Sequence, residues 1–345
     1  MKRRAFLQSS TATAASLITG WSGAGPALAG GKQTTQVMTV TGEVPADKLG
    51  KMLPHEHILV DFVGADQVSP SRYDADEAFK VMLPYVKQVK DAGCEAIAEC
   101  TPAYLGRDPK LLLRLSKATG MKFLTNTGYY GAQQGKFLPK HAFDESADQL
   151  AKRWIAEWKV GIDDTGIRPG FIKIGVDAGP LTNVNRKLVQ AAARCHLKTG
   201  LTIAGHTGDG KAALEQIDAL KMEGVSPSAW VWVHAQNERN SELHIRIARA
   251  GAWVEFDGIG PTSINRHVGL VQSMRDADLL NHVLVSHDAG WYSVGEPRGG
   301  KVRDFDTVFT RFVPALLKTG FSDDEMKQLV IINPAKAFAI RRTRA

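Results

Sequence analysis

Two histidines stand one residue apart in the apolar run LPHEHILVD, residues 53–61. Side chains on a strand alternate with a period of two, so His55 and His57 share a face and Glu56 points the other way. Five more polar residues end similar short apolar runs: Lys173 in FIKIG, His206 in GHTG, His234 in WVHAQN, Asp257 in FDGIG and Asp288 in VSHD. Four histidines with an aspartate suit a divalent transition metal such as zinc. Lys173 is the odd member, because a bare ammonium aimed at such cations is repelled. A neutral lysine amine, however, can react with carbon dioxide. The carbamate it forms carries one negative charge and two oxygens, enough to bridge two metals.

These residues need a scaffold that brings distant runs together. Eight β-rich runs recur along the chain, at 52–61, 94–101, 122–130, 171–177, 201–208, 230–237, 252–260 and 282–290. Most are 30 to 50 residues apart, the length of a strand-helix unit with its loops. Helical periodicity fills the gaps. In residues 74–93, Phe79, Met82, Leu83, Val86 and Val89 follow the i, i+3, i+4, i+7 rule, with Asp74 or Asp76 as cap and Gly93 as stop. Pro84 is expected to kink that helix. No G-x-G-x-x-G follows any run and no boundary divides the chain, which argues against a doubly wound sheet. The expected fold is α/β, a single (β/α)8 TIM barrel over residues 30–345, whose chemistry sits at the C-terminal ends of the strands.

The first 29 residues are set apart from that domain. Arg3-Arg4, a weakly apolar stretch and a small-x-small site at Ala27-Leu28-Ala29 form a twin-arginine export signal. The stretch is too short and too broken for stable membrane anchoring. The expected destination is the periplasm or beyond, with the twin-arginine machinery as a partner. Setting aside Lys2, Arg3 and Arg4, a stretch without acids, lowers the formal net charge from +7 to +4. The remaining basic residues form no stripe, so no nucleic-acid partner is expected. Cys94, Cys100 and Cys195 have no C-x-x-C spacing and suggest neither a disulfide framework nor a thiolate metal site.

Taken in order, H-E-H, FIKIG, GHTG, WVHAQN and VSHD resemble the phosphotriesterase family of the amidohydrolase superfamily. The likeness runs from about Val40 to about Ile340, with YLGRDP at 104–109 and NPAKAF at 333–338 also matching in style. The resemblance implies two divalent ions, zinc foremost and cobalt or manganese as substitutes. His55, His57 and Asp288 would hold the buried ion, His206 and His234 the more exposed one, and Lys173, as N6-carboxylysine, would bridge both. It also implies that Tyr130, just past the third strand, lies over the metals as in lactonase-like members. Asp257 matches the family's aspartate, whereas Gly258 stands where some relatives have histidine or arginine.

The function this implies is hydrolysis. Two cations lower the pKa of a shared water to roughly 7 or less, and Asp288 is placed to take its proton. Lactone or carboxyl-ester cleavage leads, with phosphotriester cleavage as the alternative and a non-catalytic metal or small-molecule binding protein behind both. A mononuclear deaminase-like member would not need Lys173. The segment GWYSVGEPRGGKVRDFD is expected to be a mobile basic lid carrying Arg298, Lys301 and Arg303. His141, His196, His244, His267, His282 and His287 are expected away from the metals. Trp230 and Trp232 should face away from His234, and Glu99 and Cys100 belong to the core near the pocket. Related barrels suggest a homodimer, by analogy alone.

Overall fold

The computed structural model describes residues 35–341; the twin-arginine pair and the Ala27-Leu28-Ala29 site lie outside the described residues. Each of the eight expected runs contains a barrel strand. They begin Met52–Val60, Ala96–Glu99, and a third strand in two pieces, Lys122–Leu124 and Asn126–Thr127. Phe171–Gly175, Ile203–His206, Trp230–Val233 and Trp253–Phe256 follow, and the eighth is again in two pieces, Val283–Val285 and Gly290–Ser293. All neighbours in this set pair in parallel. One sheet runs from Gly290–Ser293 through strands one and two to Lys122–Leu124, and the other from Asn126–Thr127 through strand seven to Val283–Val285. The two broken strands belong to both sheets, and so carry the pairing around the TIM barrel.

Alternation sorts the strand residues into two packing layers. Ala98, Leu124, Phe171, Ala204, Val231, Val233 and Leu284 pack together inside the ring. Ile97, Phe123, Ile172, Ile203, Trp230, Trp232 and Val254 join the larger layer shared with the helices. Burying apolar surface this way is the main driving force, at roughly 25 cal/mol per Å². The first helix, Ala75–Asp91, is capped by Asp74, whose side chain accepts from the amides of Asp76 and Glu77. Pro84 lies inside it without ending it.

The sequence did not suggest the N-terminal hairpin, Gln36–Thr39 with Gly42–Pro45. Its base joins the chain end through Ile340 N–H to Gln36 O. Phe338 meets Phe171 edge-on beneath the ring, so hairpin and C-terminal segment close the end opposite the strands' C-termini. Among the described residues no helix is long and apolar enough to cross a membrane. All three cysteines are buried and free.

Candidate metal centre

The polar residues at the strand ends, Asp257 excepted, meet in one cavity of about 420 Å³. His55, His57, Lys173, His206, His234, Asp288 and Tyr130 all line it, together with Phe62, Leu105, Phe137 and Trp291. The imidazoles are neighbours: ring centroids are 5.3 Å apart for His55 and His57, 5.0 Å for His55 and His234, and 4.4 Å for His206 and His234. Lys173 Nζ lies 3.3 Å from His55 Nε2, and the Tyr130 hydroxyl 2.9 Å from His206 Nε2. Cys100 reaches the cavity wall, whereas Glu99 turns away to accept from the amides of Ile58 and Thr101.

Three of the rings are oriented from behind. His55 Nδ1 is 3.0 Å from Asp257 and 3.1 Å from Glu255, His57 Nδ1 is 2.7 Å from Thr101 Oγ1, and His234 Nδ1 is 2.7 Å from Asp257. A proton on each Nδ1 leaves each Nε2 lone pair toward the cavity. Burial, reinforced by Lys173, pushes the pKa of His55 down to about 3. Burial lowers His57, and burial with the neighbouring His234 lowers His206 well below the ordinary value. Burial opposes the ionisation of Asp257, yet His234 and His55 hold its carboxyl well below the usual range. Glu255, buried beside that charge, is pushed the other way. His55, His57 and His206 therefore present neutral imidazoles to the cavity.

Such a set fits a cation. His55, His57 and Asp288 bring ligand atoms within 4.8 Å of one another. Among the described residues Asp288 Oδ1 is buried without a hydrogen bond, although His57 Nε2 lies 3.2 Å and His55 Nε2 3.8 Å away. Acceptors facing one another at these distances repel unless a positive charge lies among them. His55, His234 and Asp257 form a second close group. Because Asp257 meets both rings at Nδ1, it orients them and leaves each Nε2 turned to the cavity side.

Local irregularities aim these side chains. Met52 packs inside the ring and Leu53 outside, so strict alternation would turn His55 outward. A register shift between Leu53 and Glu56 resets the phase. His234 shares parity with the outward Trp230 and Trp232, and faces the cavity because its left-handed backbone, φ 66°, ends the strand there. The two tryptophans do face away, though alternation is not the reason. Asp288 is also left-handed, at φ 53°.

The remaining expectations divide. Gly258 has a local reason: a Cβ there would lie 2.9 Å from Gln236 Nε2, which donates to Asp257 at 2.7 Å. The expected lid begins as a barrel strand, since Gly290–Ser293 pairs with strand one and Gly290 exchanges backbone bonds with Arg303. Arg303 lies over Trp291 and donates to the Asp288 carbonyl, while Arg298 and Lys301 are not among the cavity-lining residues. The other histidines are engaged elsewhere, His196, His244, His267 and His282 with backbone carbonyls and His141 with Tyr129. Thr101, Glu255 and Gln236 escaped the sequence reading. Thr101 had one signal, its place at the very end of the second strand run.

Comparison with known proteins agrees with this architecture. The model of the phosphotriesterase family matches residues 35–338. A phosphotriesterase homology protein of Escherichia coli is 30% identical over 296 residues, covering 85% of this chain and 99% of its own length. An aryldialkylphosphatase of Saccharolobus solfataricus is 26% identical, with 86% and 97% covered. A mutant of a phosphotriesterase-like lactonase from Deinococcus radiodurans is structurally similar, with a TM-score of 0.79 at 26% identity and coverage of 88% and 100%.

Proposed function

The chain belongs to the phosphotriesterase family and is a hydrolase, and from that premise we propose that it is a binuclear metal enzyme cleaving lactones or carboxyl esters. His55, His57 and Asp288 would hold one divalent ion and His206 and His234 the other, with Lys173 as a carbamate between them. Zinc is the first candidate, with cobalt or manganese as substitutes. The observation that carries this reading is Asp288 Oδ1, which has no hydrogen bond among the described residues and faces the Nε2 atoms of His57 and His55.

When bound, the two ions supply Lewis acidity that acidifies water and polarises the substrate oxygen. The chain's own residues do the rest. Asp257 and Thr101 keep the proton of each facing imidazole on Nδ1, so that Nε2 stays a lone-pair donor. Asp288 Oδ1 accepts the proton released when water attacks. The Tyr130 hydroxyl, with its proton held by a burial-raised pKa, donates to the substrate's carbonyl or ring oxygen. Phe62, Leu105, Phe137 and Trp291 give the cavity an apolar wall suited to an acyl chain or aryl group.

Phosphotriester cleavage is the second reading, favoured by the aryldialkylphosphatase relative. A panel of lactones, aryl esters and phosphotriesters, assayed with zinc-, cobalt- and manganese-loaded protein, separates the two. Bound metal without turnover on any substrate would instead identify a binding protein. Lys173→Ala should lose binuclear binding and nearly all activity, with partial rescue by acetate or propionate as a surrogate bridge. Two retained ions and full turnover without a carboxylate would refute the carbamate. We further propose periplasmic delivery through Arg3-Arg4: lysine at both positions should hold the protein in the cytoplasm, and unchanged export would overturn that.

A further inference from the structure

Glu56, the middle residue of the H-E-H motif, points away from the cavity and is fully buried. Its carboxylate collects four hydrogen bonds from one short segment. Oε1 accepts from Ser286 Oγ at 2.8 Å, the His287 amide at 3.0 Å and His287 Nδ1 at 2.7 Å, and Oε2 accepts from the Ala289 amide at 2.8 Å. That segment is the break in the eighth strand. Ahead of it, the Ser286 amide bonds to Phe256 on strand seven; within it, the Asp288 amide bonds to His55 on strand one. The strand changes neighbours there, and the amides on either side of Asp288 have a carboxylate where a ladder would offer carbonyls.

We propose that Glu56 is the positioning residue for Asp288: its carboxylate replaces the missing ladder, holds the left-handed turn that presents Asp288, and through His287 ties that turn to Val308. The last link is direct, since His287 Nε2 accepts from the Val308 amide at 2.7 Å. Val308 opens the helical segment Val308–Phe312 that follows the loop beyond strand eight. One buried side chain thus joins the first strand, the turn bearing the aspartate and the far end of that loop. The turn needs such support, because a non-glycine residue at φ 53° stores strain that only its surroundings can hold. Ser286 adds a cross-tie, its Oγ also accepting from the His55 amide at 3.0 Å. His55 and Asp288 are therefore set by the same cluster.

The metal arm of the test rests on the reading of Asp288 as a ligand; the exchange arm does not. In metal-free wild-type protein, the amides of His287 and Ala289 should exchange hydrogen as slowly as those of Val283–Val285. Glu56→Gln replaces one acceptor oxygen with an N–H₂ group facing another donor. Exchange at 287 and 289 should then accelerate at least about tenfold while Val285 is unchanged, the effect of one unpaired buried amide. With zinc or cadmium bound, one of the two ions should become about 10–100-fold easier to remove with a chelator, as when a ligand's supporting partner is lost. The cadmium NMR signal of that ion should be lost or broadened, with the other retained. If Glu56→Gln fails to fold, Ser286→Ala removes one donor and the His55 tie while keeping both backbone donors, and should produce the same pattern more weakly. Rapid exchange at 287 and 289 in the wild type overturns the proposal. So does a Glu56→Gln variant that melts lower but holds both ions as before or loses both equally. Protein that binds no metal defeats the function proposed above and leaves the exchange arm to decide this one.

Discussion

Asp257 serves two rings and Thr101 only one, and that difference is measurable. Asp257 meets Nδ1 of both His55 and His234, whereas Thr101 meets Nδ1 of His57. Asp257→Asn should weaken both metal sites, and Thr101→Val only the one served by His57. The loss should be about 10–100-fold in affinity per site, read by competition with a chelator. Equal effects from the two variants would show that the rings are not oriented separately. Tyr130 is tested by Tyr130→Phe. Its hydroxyl touches His206 Nε2, on the cavity side of the ring. Metal content should stay the same while kcat/KM for lactones falls about tenfold, the worth of one hydrogen bond at the upper end of the usual range. Unchanged kinetics would make Tyr130 part of the rim.

At the scale of elements, glycines let neighbouring strands approach where ligands are displayed. Gly128 has φ +111°, and a Cβ there would lie 2.2 Å from the carbonyl oxygen of Lys173. Gly224 also has positive φ, +80°, but nothing stands within 4 Å of its Cβ position. Gly224→Ala should therefore cost only backbone strain, about 1 kcal/mol. Gly128→Ala should cost about 1–3 kcal/mol more, because the Lys173 strand must move, and should lower metal occupancy as well. Denaturant titration of the metal-free proteins measures the difference directly. Equal destabilisation would mean that the strand yields without cost. The broken eighth strand obeys the same logic with a carboxylate in place of a glycine.

For the whole molecule, the buried imidazoles set the pH response of the metal-free protein. His55 titrates at about 3 when folded and 6.5 when unfolded, and burial shifts His57 and His206 the same way. The unfolded chain then binds protons that the fold refuses, so these groups make stability fall as pH drops from 6.5 toward 3. His196, His244 and His267 are lowered by burial too and add to that slope. Glu99 opposes it: burial raises its pKa from 4.5 to about 7, so its contribution is lost as pH rises across that window. The imidazoles outnumber it and Glu255, so Tm without metal should rise between about pH 4.5 and 6.5. A falling Tm over that range would contradict neutral imidazoles at His55, His57 and His206. Bound metal should raise Tm with concentration, by about 2.7 kcal/mol of stability at a hundred times Kd, and a chelator should reverse it.

The sequence by itself determined the eight strand runs and the order of polar residues at their ends. Alternation and helical period are local properties, written within a few residues of each position. His55, His57, Lys173, His206, His234 and Asp288 were therefore legible as candidates before any contact was known. Only the tertiary structure decided what stands behind them: Thr101 against His57, Glu255 and Asp257 against His55, Gln236 in the space left by Gly258, and Glu56 beneath Asp288. The pairing of His55 with Glu255 spans 200 residues and that of Glu56 with His287 spans 231. The register shift before His55 and the left-handed turns at His234 and Asp288 are likewise set by neighbouring strands. A periodic pattern states which face a residue prefers; it does not state which distant side chain that face will meet.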